Sequence, residues 1–279
     1  MKLSNIAREI ERAKENIFLI YAFNATGKTR LSVEYKKTAR DPQTGFQTGV
    51  YYNAFSEDLF IWDNDTKNYE KDIKIQVVPS SLNRLHSQIN EEDILEKLKP
   101  YNPKYEFYFS YIDNDSEKGI EYIHFYLKDD KSMMPIKISR GEERIFVWCF
   151  FLALFDTEGW ADKQNQYIFI DAPVSSLDDH NIFITTFSLL DLIEKYYKER
   201  KFIITTHHIG FATILDNLLA KGEKAESFKK HYKLRLLEKE GTRFSLGNPK
   251  KDVLLYHLRL LQSNFLYHYK KFVLHQYIY

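Results

Sequence analysis

The chain has 279 residues and a mass of 33.3 kDa, which suits one large domain or two small ones. Apolar residues make up 44% and charged residues 28%, a globular composition and not a disordered one. Forty basic side chains against 39 acidic ones leave a formal charge of +1, which argues against a dedicated nucleic-acid binder, and a lone cysteine, Cys149, excludes a disulfide framework and a thiolate-rich zinc site.

In chain order, apolar positions at helical spacing predict a helix over residues 3–15, and the amphipathic, charged start Met1–Ile10 has no secretory pattern. Asn16–Ala22 reads as a short buried strand, Phe23–Gly27 as a turn and Lys28 to about Lys37 as a helix. Val50–Asn53 and Leu59–Trp62 read as aromatic strands, with a turn at Asp63-Asn64-Asp65. Leu82–Leu98 is helical and stopped by Pro100. Tyr105–Ile112 and Ile120–Leu127 alternate as a hairpin around Asp113–Asp115, and Ile136–Ile138 reads as a short strand. Glu142–Asp156 is a nearly all-apolar helix that must be buried. The longest apolar run, Ile145–Phe155, is shorter than the ~20 residues of a membrane span, so the expectation is a cytoplasmic protein without a membrane partner. Strand Tyr167–Asp171, helix Asp178–Tyr197, strand Phe202–Thr206, helix Gly210–Leu219, strand Tyr232–Leu237 and helix Asp252–Leu261 follow. This alternation predicts an α/β fold with a mostly parallel sheet.

The sharpest local signal is Ala22-Phe23-Asn24-Ala25-Thr26-Gly27-Lys28-Thr29, placed between a predicted strand and a predicted helix as a phosphate loop requires. Backbone N–H groups from Asn24 to Arg30 would cradle phosphates, Lys28 would neutralise them and Thr29 would hold Mg²⁺. Ala22 stands where the motif's first Gly belongs, and its methyl group is tolerated only if φ stays negative. Three further segments carry chemistry. Tyr167–Asp171 is an apolar strand ending in a carboxylate, as a second Mg²⁺-organising group needs. Ser139, Arg140, Gly141 and Glu142 open the apolar helix as an N-terminal anion site. Phe202–Thr206 runs into His207 and His208, of which the first could bond a γ-phosphate. Each has a bland alternative: a turn at Asp171-Ala172-Pro173, a helix cap at Ser139, a solvated or metal-binding pair at the two histidines.

Taken in this order, the segments resemble the ABC-type ATPases, with Ser139–Glu142 as signature motif, Asp171 as Walker B aspartate, Ser176-Leu177-Asp178 as D-loop and His207 as switch histidine. The wording of Tyr51–Phe60, Ser139–Arg144, Asp171–Asp178 and Thr205–His208 resembles more narrowly the ATPase half of the bacterial anticodon nucleases of the PrrC and RloC group. The likeness runs from about residue 16 to 212 and more loosely to about 269. It implies an ABC-type nucleotide-binding domain over 1–265 with a mixed β-sheet and an inserted strand and helix lobe at about 70–135, followed by a basic, aromatic tail at 266–279. It also implies ATP and Mg²⁺ as ligands, a head-to-tail dimer in which Ser139 and Gly141 of one copy close the P-loop of the other, and a part in phage defence. Asn53, or less well Gln47, would stand in for the usual Q-loop glutamine at the metal.

Two departures matter. Where ABC ATPases place Glu, and this group often Asp, the chain has Ala172, whose methyl group can neither take a proton nor orient water. Either the chain is a natural non-hydrolysing variant or a carboxylate has been replaced. The intact remainder of the site favours replacement, and a third reading lets Asp178 or Asp179 compensate. Secondly, the RNA-cleaving Arg, Glu and His that the resemblance would place further on are not found. His257, His268 and His275 with Arg259, Lys270 and Lys271 form an interleaved tail that could grip RNA, or more simply dock on a partner. The expectation is therefore an ATPase module acting with a separate effector, a nuclease, and touching tRNA or DNA only through that complex. One alternative is a nucleotide-sensing pseudo-ATPase, a binding module that dimerises on ATP but never turns over, which Ala172 suits. The other is an SMC-type repair ATPase acting on DNA, but it needs coiled-coil arms. Only about a hundred residues, strands among them, separate Lys28 from Ser139.

Overall fold

The computed structural model describes residues 1–39, 49–53, 60–66, 71–78, 88–157 and 167–249. Its strands are β1 (Ile17–Tyr21), β2 (Gly49–Asn53), β3 (Phe60–Asp63), β4 (Lys74–Val77), β5 (Tyr105–Tyr111), β6 (Ile120–Leu127), β7 (Tyr167–Asp171), β8 (Lys201–Thr206), β9 (Tyr232–Glu240) and β10 (Arg243–Gly247). Its helices are α1 (Leu3–Arg12), α2 (Lys28–Thr38), α3 (Glu91–Leu98), α4 (Arg140–Asp156), α5 (Asp179–Tyr196), α6 (Ile209–Lys221) and the single turn α7 (Ala225–Phe228).

Six strands form one mixed sheet in the order β10-β9-β1-β8-β7-β2, parallel except for β10 at the edge. All five residues of β1 and of β7 are buried because helices cover both sheet faces, which is why these strands read as unbroken apolar runs. Successive side chains alternate between two cores. Phe18, Ile20, Phe169 and Ile203 pack with Ile6 and Ile10 of α1 and Leu31 and Tyr35 of α2. Ile17, Leu19, Ile168, Ile170 and Ile204 face the opposite core with α4 and α5.

The second sheet, β3-β4-β6-β5, is antiparallel and lies in sequence between β2 and α4. Helix α4 is filled between the two sheets. Phe146 meets Phe107 and Phe125 edge-on at 5.0 Å each, while Trp148 and Phe151 meet Tyr52 of β2 at 5.0 and 4.7 Å. Every residue from Ile145 to Phe155 is buried, so the helix has no polar stripe.

Several elements differ from the sequence expectation. Of the helix expected over 82–98, residues 82–87 lie outside the described residues; the described helix begins at Glu91, where Asn90 and Asp93 form a reciprocal capping box, and a 3₁₀ turn containing Pro100 ends it. Ile136–Ile138 is not a strand; Ile136 donates one bond to the Phe125 carbonyl, too few to make a ladder. Strands β4 and β10 and the turn α7 are additional to the expected set. Gln47, the segment 54–59, the expected helix 252–261 and the tail with its histidines lie outside the described residues. Among the described residues no helix is long and apolar enough to cross a membrane.

Candidate nucleotide site

Parallel register places Tyr21 beside Thr206, Thr205 beside Asp171 and Asp171 beside Asn53, so β1, β8, β7 and β2 end along one edge. In open α/β sheets that carboxyl edge is where ligands bind. The chain leaves β1 there. Ala22 donates its N–H to the Thr206 carbonyl at 2.9 Å and stays outside the positive-φ region, which is why Ala is accommodated in place of Gly. The turn bends through left-handed backbone at Ala25 (φ 63°) and Gly27 (φ 96°), and Thr26 Oγ1 donates to the Phe23 carbonyl at 2.6 Å. A Cβ on Gly27 would come within 3.3 Å of the Phe244 ring, and at that φ an L side chain is strained in any case. No side chain caps α2, so its first N–H groups point outward from the turn.

Lys28 is buried, with Nζ donating to the carbonyls of Ala22 at 3.2 Å and Phe23 at 3.0 Å. Burial pushes its pKa down, against the pull of the Asp171 charge. Thr29 donates from Oγ1 to Asp171 Oδ2 at 2.9 Å, and Thr205 donates to Oδ1 of the same carboxylate. A hydroxyl and a carboxylate side by side are hard oxygen donors of the kind Mg²⁺ takes along with waters and phosphate oxygens. Uncapped helical N–H groups and an ammonium provide for the anion. The residues present therefore fit Mg²⁺–nucleotide. Asn24, Ala25 and Arg30 are exposed around the loop, and Asn53 ends β2 directly beside Asp171.

Beyond Asp171 the chain turns sharply. Ala172 is buried at φ 52° and donates its N–H to the Thr205 carbonyl at 2.9 Å. Asp178 is the N-cap of α5: its two oxygens accept from the Asn181 N–H at 2.9 Å and from Asn181 Nδ2 at 2.7 Å, and the backbone bond chiefly holds its pKa down. Asp179 is exposed. The two histidines part company. His208 caps α6, its Nδ1 accepting from the Phe211 N–H at 3.2 Å. His207 Nδ1 is buried without a hydrogen-bond partner, and burial, then the charges of Lys28 and His208, lower its pKa against the pull of Asp171. Among the described residues no three His, Cys, Asp or Glu converge as a metal cage.

Ser139 and Glu142 form a capping box on α4: Glu142 Oε2 accepts from the Ser139 N–H at 2.9 Å and Ser139 Oγ from the Glu142 N–H at 3.3 Å. Gly141 packs towards the Ser176 carbonyl, where a Cβ would sit at 3.4 Å, and Arg144 donates to the Ser175 carbonyl. Arg140 is exposed. The structure thus brings Lys28, Thr29, Asp171, Ala172, His207 and Asn53 to one edge, and joins Ser139–Glu142 to the 175–178 turn as a second group. Thr205 and Arg144 are site-building residues that sequence reasoning passed over. The one signal for Thr205 is a polar side chain at the end of an apolar strand.

No profile of a known protein family matches the chain. The chain is 34% identical over 252 residues to an anticodon nuclease of Escherichia coli, across 77% of this chain. Its trace is also loosely similar to the SMC head domain of Thermotoga maritima (TM-score 0.41, 13% identity, 85% of this chain and 91% of that one). An Smc head bound to the C-terminal winged-helix domain of ScpA gives a TM-score of 0.40 at 11% identity, over 84% and 90% of the two chains. The chain is an α/β protein that resembles the E. coli anticodon nuclease in sequence, and it spans 61% of that nuclease's length.

Proposed function

We propose that the chain is an ABC-type ATPase module that binds ATP and Mg²⁺, closes head-to-tail with a second copy, and controls a separate RNA-cleaving effector in cytoplasmic phage defence, meeting tRNA or DNA only through that complex. In this reading residues 1–265 form the ATPase domain with 70–135 as its inserted lobe, and 266–279 is a docking tail. The observation that carries it is the Thr29–Asp171 pair set beside the buried Lys28 at an uncapped helix start. Resemblance to a nuclease whose name specifies anticodons supports the RNA-directed effector.

Nucleotide with Mg²⁺ supplies the phosphoanhydride to be cut. Lys28 exchanges two loop carbonyls for phosphate oxygens, a charge-assisted bond in place of neutral ones. Thr29 and Asp171 would hold the metal, and neutral His207, whose Nδ1 is unpaired, would serve as a hydrogen-bond partner for the terminal phosphate. Ser139 is bonded within its own helix start and Gly141 faces the Ser176 carbonyl. In this reading both serve the partner copy. With Ala172 in the position of the water-orienting carboxylate, binding outlasts turnover.

Light scattering of the chain with and without ATP–Mg²⁺ tests this. The mass is expected to double with nucleotide, and Lys28→Ala and Ser139→Arg should each prevent the doubling. An ATP response that survives both substitutions would falsify the composite site.

A further inference from the structure

The outward face of the β3–β6 sheet holds a side-chain group remote in sequence from the nucleotide motifs. Antiparallel register pairs Ser110 of β5 with Tyr122 of β6, and Tyr108 with His124, while Gln76 of β4 lies on the other side of Tyr122. The Ser110 hydroxyl is 2.9 Å from His124 Nε2. On the far side of the ring, Asp72 Oδ1 is 3.5 Å from Nδ1, within ion-pair reach but outside hydrogen-bond geometry, so the buried Nδ1 has no hydrogen bond. Asp72 is itself held in place: its N–H donates to Asp65 Oδ2 at 3.0 Å, and its Oδ2 accepts from Lys74 Nζ at 2.5 Å. The His124 ring is 6% exposed and stacks flat on Tyr108 at 4.6 Å.

We propose that Ser110, His124 and Asp72 form a nucleophile–base–orienter relay in which Ser110 accepts acyl groups from small esters. Burial lowers the His124 pKa, Asp72 opposes this and Lys74 reinforces it, so the ring is neutral at neutral pH. With its proton on Nδ1, facing Asp72, the ring presents the Nε2 lone pair to the Ser110 O–H. Stacking on Tyr108 fixes the ring plane in which this alignment holds. In the acyl transfer Ser110 Oγ bonds to the ester carbonyl carbon while its proton passes to Nε2. The imidazolium then protonates the leaving alkoxide as the ester C–O bond breaks, and water repeats the sequence to release the acid. Tyr122 and the exposed Gln76 share the cross-strand row of Ser110 and are the donors available to the oxyanion. The looser 3.5 Å side of the relay is the side expected to shorten on loading, as apo catalytic contacts do. No residue of this group belongs to the nucleotide site, so the proposal stands or falls independently of it.

The test is to treat the full chain with a fluorophosphonate probe and map the adduct by mass spectrometry. Ser110 Oγ bonds to phosphorus, the P–F bond breaks, fluoride leaves and the proton goes to His124. One adduct is expected, on Ser110, forming faster as pH rises and His124 deprotonates. His124→Gln, which keeps a side chain able to bond Ser110, should slow it at least roughly 100-fold, the low end of what a general base supplies. Asp72→Asn should slow it about tenfold or more, and p-nitrophenyl acetate hydrolysis should fall in parallel. No adduct on Ser110 under conditions that label a control serine hydrolase overturns the proposal without any variant having to fold. So does labelling of Ser110 no faster than of the exposed Ser116 or Ser132, or a rate that His124→Gln leaves unchanged in a protein with native circular dichroism.

Discussion

In the proposed function Ala172 would link backbone geometry to turnover, and the two effects can be separated by substitution. Its φ of 52° lies where an L side chain meets its own carbonyl, at a cost of about 1–2 kcal/mol. The turn is nevertheless held there, because the Ala172 N–H is tied to Thr205 and its carbonyl accepts from the Ser175 N–H at 3.2 Å. Ala172→Gly relieves the strain and adds no chemistry. After the greater freedom glycine has in the unfolded chain is subtracted, a net gain of about 0.5–1 kcal/mol remains. In a chain of this size that is a rise of about 1–4 °C in Tm. Ala172→Asp relieves part of the same strain, since Asp visits the left-handed region more readily than Ala, and puts a carboxylate next to Asp171 at the strand edge. A general base contributes roughly 10²–10⁴-fold, about 3–5 kcal/mol of barrier, so ATP turnover with Asp should rise at least tenfold, and with Gly not at all. Differential scanning calorimetry and a coupled phosphate-release assay on the three proteins give both numbers. A higher Tm for Gly with no gain in rate for Asp would leave the turn geometry standing and remove Ala172 from the catalytic position. His207→Ala introduced into the Asp variant should abolish the gain, and a gain that persists would refute the role given to His207.

Thr29→Val removes the donor to Asp171 while keeping the volume of the side chain. ATP binding, followed by fluorescence of a labelled nucleotide, should lose its dependence on Mg²⁺, and an unchanged Mg²⁺ response would contradict the metal assignment. Gly27→Ala forces a side chain into a φ of 96° against Phe244 and should cost about 1–2 kcal/mol in urea unfolding, with nucleotide binding lost as well. Ser139→Ala deletes one half of the α4 capping box and should cost about 1 kcal/mol, which an unchanged urea midpoint would exclude. His124, His207 and His208 all have pKa values lowered by burial first. The unfolded chain therefore binds more protons than the folded one just below the usual histidine value near 6.5. Stability conferred by these neutral rings is complete above that pH and is lost as pH falls from it towards the folded values. Urea midpoints at pH 7.5 and 5.5 should show the decrease, and His124→Gln should reduce the difference.

The strand–turn–helix that carries Lys28 and Thr29 was legible in the sequence because everything that defines it is local. A strand of apolar residues, a turn with Gly27 at its left-handed end and a helix opening on Lys28-Thr29 lie within thirteen residues or so, and short-range sterics decide each of them. Helix α4 was legible for the same kind of reason: an apolar run of that length admits only a buried helix, and Ser139 with Glu142 writes its cap. Edges were harder. Strand β4 is four residues long and β10 five, too short for alternation to stand out, and each exists because a neighbouring strand offers it a ladder. The start of α3 was misplaced because helical apolar spacing in the sequence runs on through Asn90, the cap at which the described helix begins. What no local pattern could supply was pairing at long range. That β8 lies between β1 and β7, and so sets Thr205 against Asp171 and Asp171 against Thr29, is a property of strand order. The meeting of Ser110, His124 and Asp72 is a property of register: slipping β5 against β6 by one residue would turn Ser110 into the core and dissolve the group. Sequence decides which residues sit at the ends of elements, because caps and turns are built from neighbours. Tertiary structure decides which ends meet, because that depends on how the apolar faces of distant elements are buried together.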